Sequence, residues 1–236
     1  MSELVFDTTK YPISIYAICL SSSILIGLTV AVLLLLKERV NKTVAVFSAV
    51  INAILLVYFG IFFTLVANIK SGKAVFGFTS TGGAIGVVIG TFIFYKIFKE
   101  KLVFKAYASV IPLMYAVSKL GCFFSGCCGG REYHGPLSVK YIGTADFIND
   151  YATFPVPLLE CVVFFIIYSV MMIHYKKMGV VGYVCLNMAL CAFAKLLIDF
   201  LRSSHIGQVI SINQICCILF IVVAGVIASI FKKQIH

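Results

Sequence analysis

Seven apolar stretches, each about as long as a helix that crosses a lipid bilayer, dictate what this chain can become. They occupy residues 11–36, 43–69, 74–98, 103–124, 156–175, 179–201 and 207–231. In hydrocarbon a backbone must satisfy its own polar groups, and long apolar runs without strict alternation do so as helices. Only 12% of the 236 residues are charged, and most of these gather between the runs, which excludes a soluble domain. The expected fold is all-α and polytopic. It is a single membrane domain over residues 1–236, with a polar loop at about 129–155.

The charge distribution sets an expected orientation. Lys37, Arg39, Lys42, Lys96, Lys99, Lys101, Lys105, Lys176, Lys177, Lys232 and Lys233 fall on one side of a seven-span chain. Lys10, Lys70, Lys73, Arg131 and Lys140 fall on the other, so the ratio is eleven to five. Lys and Arg concentrate on the cytoplasmic side, which places the N-terminus outside, the C-terminus inside and the polar loop outside. The net charge of +10 is therefore topological, and no nucleic-acid partner is expected. The opening MSELVFDTTK carries acidic residues and no basic start, so it does not read as a signal peptide.

Polar groups at membrane depth are costly and point to sites. The segment 118–131, SKLGCFFSGCCGGR, ends the fourth run with Lys119, four glycines, three cysteines and Arg131. Glycines let a backbone turn and approach a ligand, so Lys119, Gly130 and Arg131 are candidate anion-binding residues. In the sixth run Lys195, Asp199 and Arg202 share one helix face, with Asp199 expected to hold the two cations apart. A snorkelling helix end is the alternative. Glu160 follows Pro155 and Pro157 and needs a cationic partner. Ser80-Thr81-Gly82-Gly83 is either a small-residue helix contact or a break that lines a cavity. Tyr16 alone reads as an ordinary interfacial tyrosine. Six of the nine cysteines sit in apolar runs as small hydrophobes. Cys122, Cys127 and Cys128 do not, but a vicinal pair is not standard zinc spacing.

Taken together, these segments resemble the bacterial prolipoprotein diacylglyceryl transferase family. Tyr11-Pro-Ile-Ser-Ile-Tyr16 is similar to its first-helix tyrosine motif, and Ser80–Gly86 to its His-Gly-Gly-Leu segment. Residues 118–131 resemble its Gly-Arg-x-Gly-Asn signature. Phe154-Pro-Val-Pro-Leu-Leu-Glu160 resembles His-Pro-x-Gln-Leu-Tyr-Glu, Asp199-Phe-Leu-Arg202 resembles Glu-Phe-x-Arg, and Ser211-Ile-Asn-Gln214 resembles Ser-x-x-Gln. This chain departs from the pattern at Thr81 for His, Lys119 for Arg, Cys122 for Asn, Cys127 for Glu, Asp199 for Glu and Lys195 for Arg. The resemblance implies transfer of diacylglyceryl from phosphatidylglycerol to a lipoprotein-precursor cysteine, with glycerol phosphate released. It implies a multi-pass protein of the bacterial cytoplasmic membrane, expected as a monomer, with no cofactor and no metal. It makes Lys119, Arg202, Asp199 and Tyr16 the catalytic candidates. Lipid and phosphate contacts would come from Lys119, Gly130, Arg131, Lys195, Arg202, Glu160, Gln214, Thr81, Gly82, Gly83, Cys122 and Cys127.

The reaction needs a clamp for the phosphate and a base for a thiol whose ordinary pKa is about 8.5. Lys119, Arg131 and Arg202 supply the first. For the second, His134, His205, Asp199 and Glu160 are candidates, whereas His174 falls on the wrong side. Two other functions compete: a thiol redox or metal centre at Cys122, Cys127, Cys128 and His134, and a lipid-binding or transport protein without chemistry. Ser71-Gly72-Lys73 lacks the context of a nucleotide loop, and no Ser-His-Asp set is evident.

Overall fold

A computed structural model describes residues 4–7, 14–69, 77–142, 151–203 and 209–231. It contains seven helices, all long and apolar enough to cross a membrane. They are α1 (Ser14–Lys37), α2 (Lys42–Ile69), α3 (Ser80–Phe98), α4 (Leu102–Phe124), α5 (Val156–His174), α6 (Val180–Asp199) and α7 (Ile212–Ile230). Two short strands accompany them. β1 (Leu4–Asp7) pairs in parallel with β2 (Val139–Ile142), in the register Leu4 to Val139. The all-helical expectation thus holds for the membrane part, with this small sheet added outside it.

The helices show large apolar side chains outward, among them Leu25, Ile54, Ile97, Ile173 and Leu219, as lipid contact requires. The inner core joins Leu35, Phe94, Val103, Tyr107, Val110, Met171 and Tyr183. α4 is the central helix and packs on α1, α3, α5 and α6. Its proline, Pro112, lacks an amide and would leave the Ala108 carbonyl open. Asn187 on α6 donates its Nδ2 to that carbonyl at 2.6 Å, so a neighbouring helix closes the gap. Ser109 on α4 donates to Tyr183 Oη at 2.9 Å, and Ser48 on α2 lies 2.9 Å from Tyr107 Oη. Such polar contacts hold helices together where burial from water cannot.

α3 begins six residues later than the apolar run suggests; residues 74–76 lie outside the described set, and 77–79 are not helical. Phe78 explains the difference. Its ring lies where a Cβ on Gly60 or Gly83 would sit, so this apolar residue packs against two helices instead of extending one. Gly82, Gly86 and Gly90 then form one stripe on α3. A Cβ on Gly82 would collide with the Phe59 carbonyl, and one on Gly86 with the Leu55 carbonyl, so α2 and α3 meet backbone to backbone.

Candidate functional site

The end of α4 is set by its glycine. Gly126 has a φ of 68° and follows the C-cap Ser125. Its amide bonds to the Phe123 carbonyl at 3.3 Å, and the Cys127 amide bonds to the Cys122 carbonyl at 3.1 Å. This is a Schellman turn, which folds the residue after the glycine back onto the last helical turn. Cys127 therefore returns beside Cys122. Cys128 follows in the left-handed region at φ 61°, which is unusual for a side-chain-bearing residue. The three sulfur atoms all lie within 4.8 Å of one another.

Past this turn the loop is stitched to α6 and to the approach to α5. Gly130 forms an antiparallel bridge with Arg202, the Arg131 amide donates to the Leu201 carbonyl at 3.0 Å, and the Ser203 amide donates to the Gly129 carbonyl at 3.1 Å. The Gly130 amide also donates to the Phe154 carbonyl at 3.2 Å. A Cβ on Gly130 would strike that carbonyl, so close backbone approach accounts for the glycine. Tyr141 of β2 donates its hydroxyl to the Phe123 carbonyl at 3.0 Å and ties the sheet to the same turn.

Beneath the turn lies a buried charge cluster. Glu160, 0% exposed, accepts from Lys195 at 2.6 Å through Oε1 and from Arg202 through both oxygens at 2.8 and 2.9 Å. Lys119 reaches Glu160 Oε2 at 3.0 Å. Tyr115 donates its hydroxyl to Glu160 Oε1 at 2.8 Å and accepts from Lys195 at 2.5 Å. The expected partner for Glu160 is therefore present three times over. Asp199 does not separate Lys195 from Arg202; Glu160 does that. Asp199 Oδ1 sits 3.9 Å from Arg202 Nε, and Oδ2 accepts from Ser211 at 2.5 Å. Ser211 in turn caps α7 in a reciprocal capping box with Gln214, so Gln214 serves the helix end.

The three cations of this cluster open onto a cavity of about 340 Å³. Lys119, Lys195 and Arg202 form its cationic wall, and Cys122, Cys127 and Cys128 lie beside them. Tyr16, Ser118, Thr81 and Asn213 add polar groups, and Leu20, Phe63 and Phe78 add an apolar side. Three cationic side chains thus stand against two carboxylates, Glu160 and Asp199. Burial opposes the charge on Arg202, but Tyr115, Glu160 and Cys128 raise its pKa and hold it cationic. Hydrogen bonding with Cys122 and Cys127 holds the Cys128 thiol well below its ordinary range, and Lys119 and Arg202 add to this against burial.

Other candidates lie elsewhere. The Arg131 side chain is exposed, and only its backbone joins the site. Gly82 and Gly83 belong to the α3 contacts with α2 and Phe78. His134 is exposed and lies 3.0 Å from Glu132, and His174 ends α5 at the opposite end of the bundle. His205, Lys70, Lys73 and Tyr11 fall outside the described residues. Sequence reasoning passed over Tyr115, which bridges Lys195 and Glu160. Its only signal was its place one turn before Lys119 on the same helix face.

The family described as prolipoprotein diacylglyceryl transferase matches this chain over residues 3–230. A phosphatidylglycerol–prolipoprotein diacylglyceryl transferase of Clostridium tetani is 24% identical over 166 residues, which cover 67% of this chain and 66% of that protein.

Proposed function

The chain belongs to the prolipoprotein diacylglyceryl transferase family, and on that premise we propose that it moves the diacylglyceryl group of phosphatidylglycerol onto the cysteine thiol of a lipoprotein precursor. The observation that carries this reading is the cationic wall of the cavity, built by Lys119, Lys195 and Arg202 around one buried carboxylate.

In the reaction a thiolate sulfur attacks the glycerol carbon next to the phosphate. The carbon–oxygen bond breaks and its electron pair leaves with glycerol phosphate. The phosphate goes from one negative charge to two, and a preorganised positive site favours that second charge over the first. Glu160 holds the three cations in place at the cavity wall, where they meet the leaving group. Arg202 presents a planar fork suited to phosphate oxygens, and Lys119 and Lys195 act as point charges. Leu20, Phe63 and Phe78 offer an apolar face to the lipid, and Tyr16 stands at the start of α1 beside the thiols.

The site occupies one end of the bundle, where α4 and α6 end and α1, α3, α5 and α7 begin. The reading puts that end at the outer face of the bacterial cytoplasmic membrane, with the protein acting as a monomer. The test is a transfer assay with purified protein in phosphatidylglycerol vesicles and a lipobox peptide. The peptide should gain a diacylglyceryl mass while glycerol phosphate appears, and Arg202→Ala and Lys119→Ala should each lower turnover at least tenfold. Absence of glycerol phosphate release under these conditions overturns the reading.

A further inference from the structure

The proposed reaction needs its acceptor thiol deprotonated, and the cavity supplies no histidine for this among the described residues. Thr81 stands where the family pattern carries one and has no basic nitrogen. His134 is exposed beside Glu132, and His174 lies at the far end. What the cavity wall does carry is three thiols. The Schellman turn brings Cys127 back to Cys122, and the left-handed Cys128 completes a triangle whose sulfurs lie within 4.8 Å of one another.

We propose that Cys122, Cys127 and Cys128 bind a zinc ion whose fourth position opens to the cavity and takes the thiol of the acceptor. This inference rests on the function proposed above. Three observations support it. Three sulfurs within 4.8 Å of one another match a soft or borderline metal, and the sequence spacing hid this because the turn, not the spacing, makes the triangle. The trio supplies three thiolate ligands, the number at which a catalytic zinc keeps a fourth position for water or substrate. All three cysteines line the same cavity as the cationic wall, so a thiol held there would face the phosphate site.

The charge also fits. Zinc with three thiolates carries one negative charge, and a fourth thiolate makes two. Lys119 and Arg202 line the same cavity as the three cysteines and partly offset this charge. Metal coordination deprotonates a thiol outright, so no protein base is required. The acceptor thiol displaces water, and its proton leaves to solvent. The thiolate electron pair then forms the sulfur–carbon bond to the glycerol carbon as the carbon–oxygen bond breaks onto the phosphate. The resulting thioether is a poor ligand, which favours release of product. No oxidant or reductant is needed.

The test uses the purified full chain, reduced and never exposed to chelator. Elemental analysis should find about one zinc per chain. Replacement by cobalt should give thiolate-to-cobalt charge-transfer absorption, and adding the lipobox peptide should shift it, whereas the same peptide with Cys→Ser should not. Cys128→Gly suits the left-handed backbone, so the fold is kept; it should lose metal affinity at least tenfold. Substoichiometric metal without a thiolate band, or a disulfide within the trio of the protein as purified, overturns the proposal. A band that ignores the peptide thiol overturns the open fourth position. The outcomes separate from the function assay. A peptide-sensitive band without transfer sinks the lipid reaction and keeps the thiol site, and transfer unchanged in metal-free protein sinks the zinc and keeps the reaction.

Discussion

Glu160 is the residue on which the site turns. It is fully buried, and Lys119, Lys195, Arg202 and Tyr115 all point at it. Removing one partner of a buried ionic cluster leaves the others uncompensated, at a cost of about 3 kcal/mol or more. Glu160→Gln should therefore lower the thermal midpoint in detergent by several degrees and also slow transfer; a variant as stable as the parent would deny Glu160 this role. Cys128 makes a second prediction at this scale. Its lowered thiol pKa keeps a thiolate populated as pH falls below the ordinary value of about 8.5. In chelator-treated protein, site-resolved alkylation of Cys128 should persist to lower pH than that of a free cysteine peptide. A profile matching the peptide would contradict this. Residue types and spacing in the sequence revealed that Glu160 needed a cation. They did not reveal that Asp199 would turn to Ser211, because that pairing depends on where α7 begins.

At the scale of elements, the helices were legible because lipid demands long apolar runs and basic residues end them. Lys37 lies in the last turn of α1, and Lys99 ends α3 in the left-handed conformation at φ 57°. What stayed hidden was how helices mend one another. Pro112 in α4 leaves the Ala108 carbonyl open, and Asn187 of α6 fills it at 2.6 Å. An unsatisfied buried carbonyl costs about 1–3 kcal/mol, so Asn187→Ala should destabilise by that order. Pro112→Ala restores an amide at that carbonyl, so the same Asn187 change should cost much less in that background. A double-mutant cycle of thermal unfolding reads the coupling, and simple additivity would refute it. The glycine stripe of α3 teaches a related lesson. Glycines four apart at positions 82, 86 and 90 were visible, yet only the Phe59 and Leu55 carbonyls opposite them decide that the stripe is a helix contact. Ser80 and Thr81, on the first turn of the same helix, are left to face the cavity.

For the whole molecule, the remaining question is which way the bundle stands. The charge cluster, the thiol turn and the sheet share one end, while Lys37, Arg39, Lys42, Lys96, Lys99, Lys101, Lys176 and Lys177 gather at the other. Lys105 also lies at that second end but is used internally: it donates to the Met178 carbonyl at 2.7 Å and lies over the Tyr175 ring at 4.6 Å. Discounting it as a topology signal leaves the asymmetry intact, because the other basic residues there flank helix ends within short loops, where the positive-inside bias acts. The site end should therefore face outward. On the proposed function it is also the face at which an exported precursor peptide would meet the outer leaflet. A reporter active only outside the cytoplasm should work when fused after Glu132 and fail when fused after Lys99. The reverse pattern would place the site in the cytoplasm, and the acceptor would then have to reach it before export. The reporter pair thus tests both the charge rule in this chain and the direction from which the proposed thiol substrate would arrive.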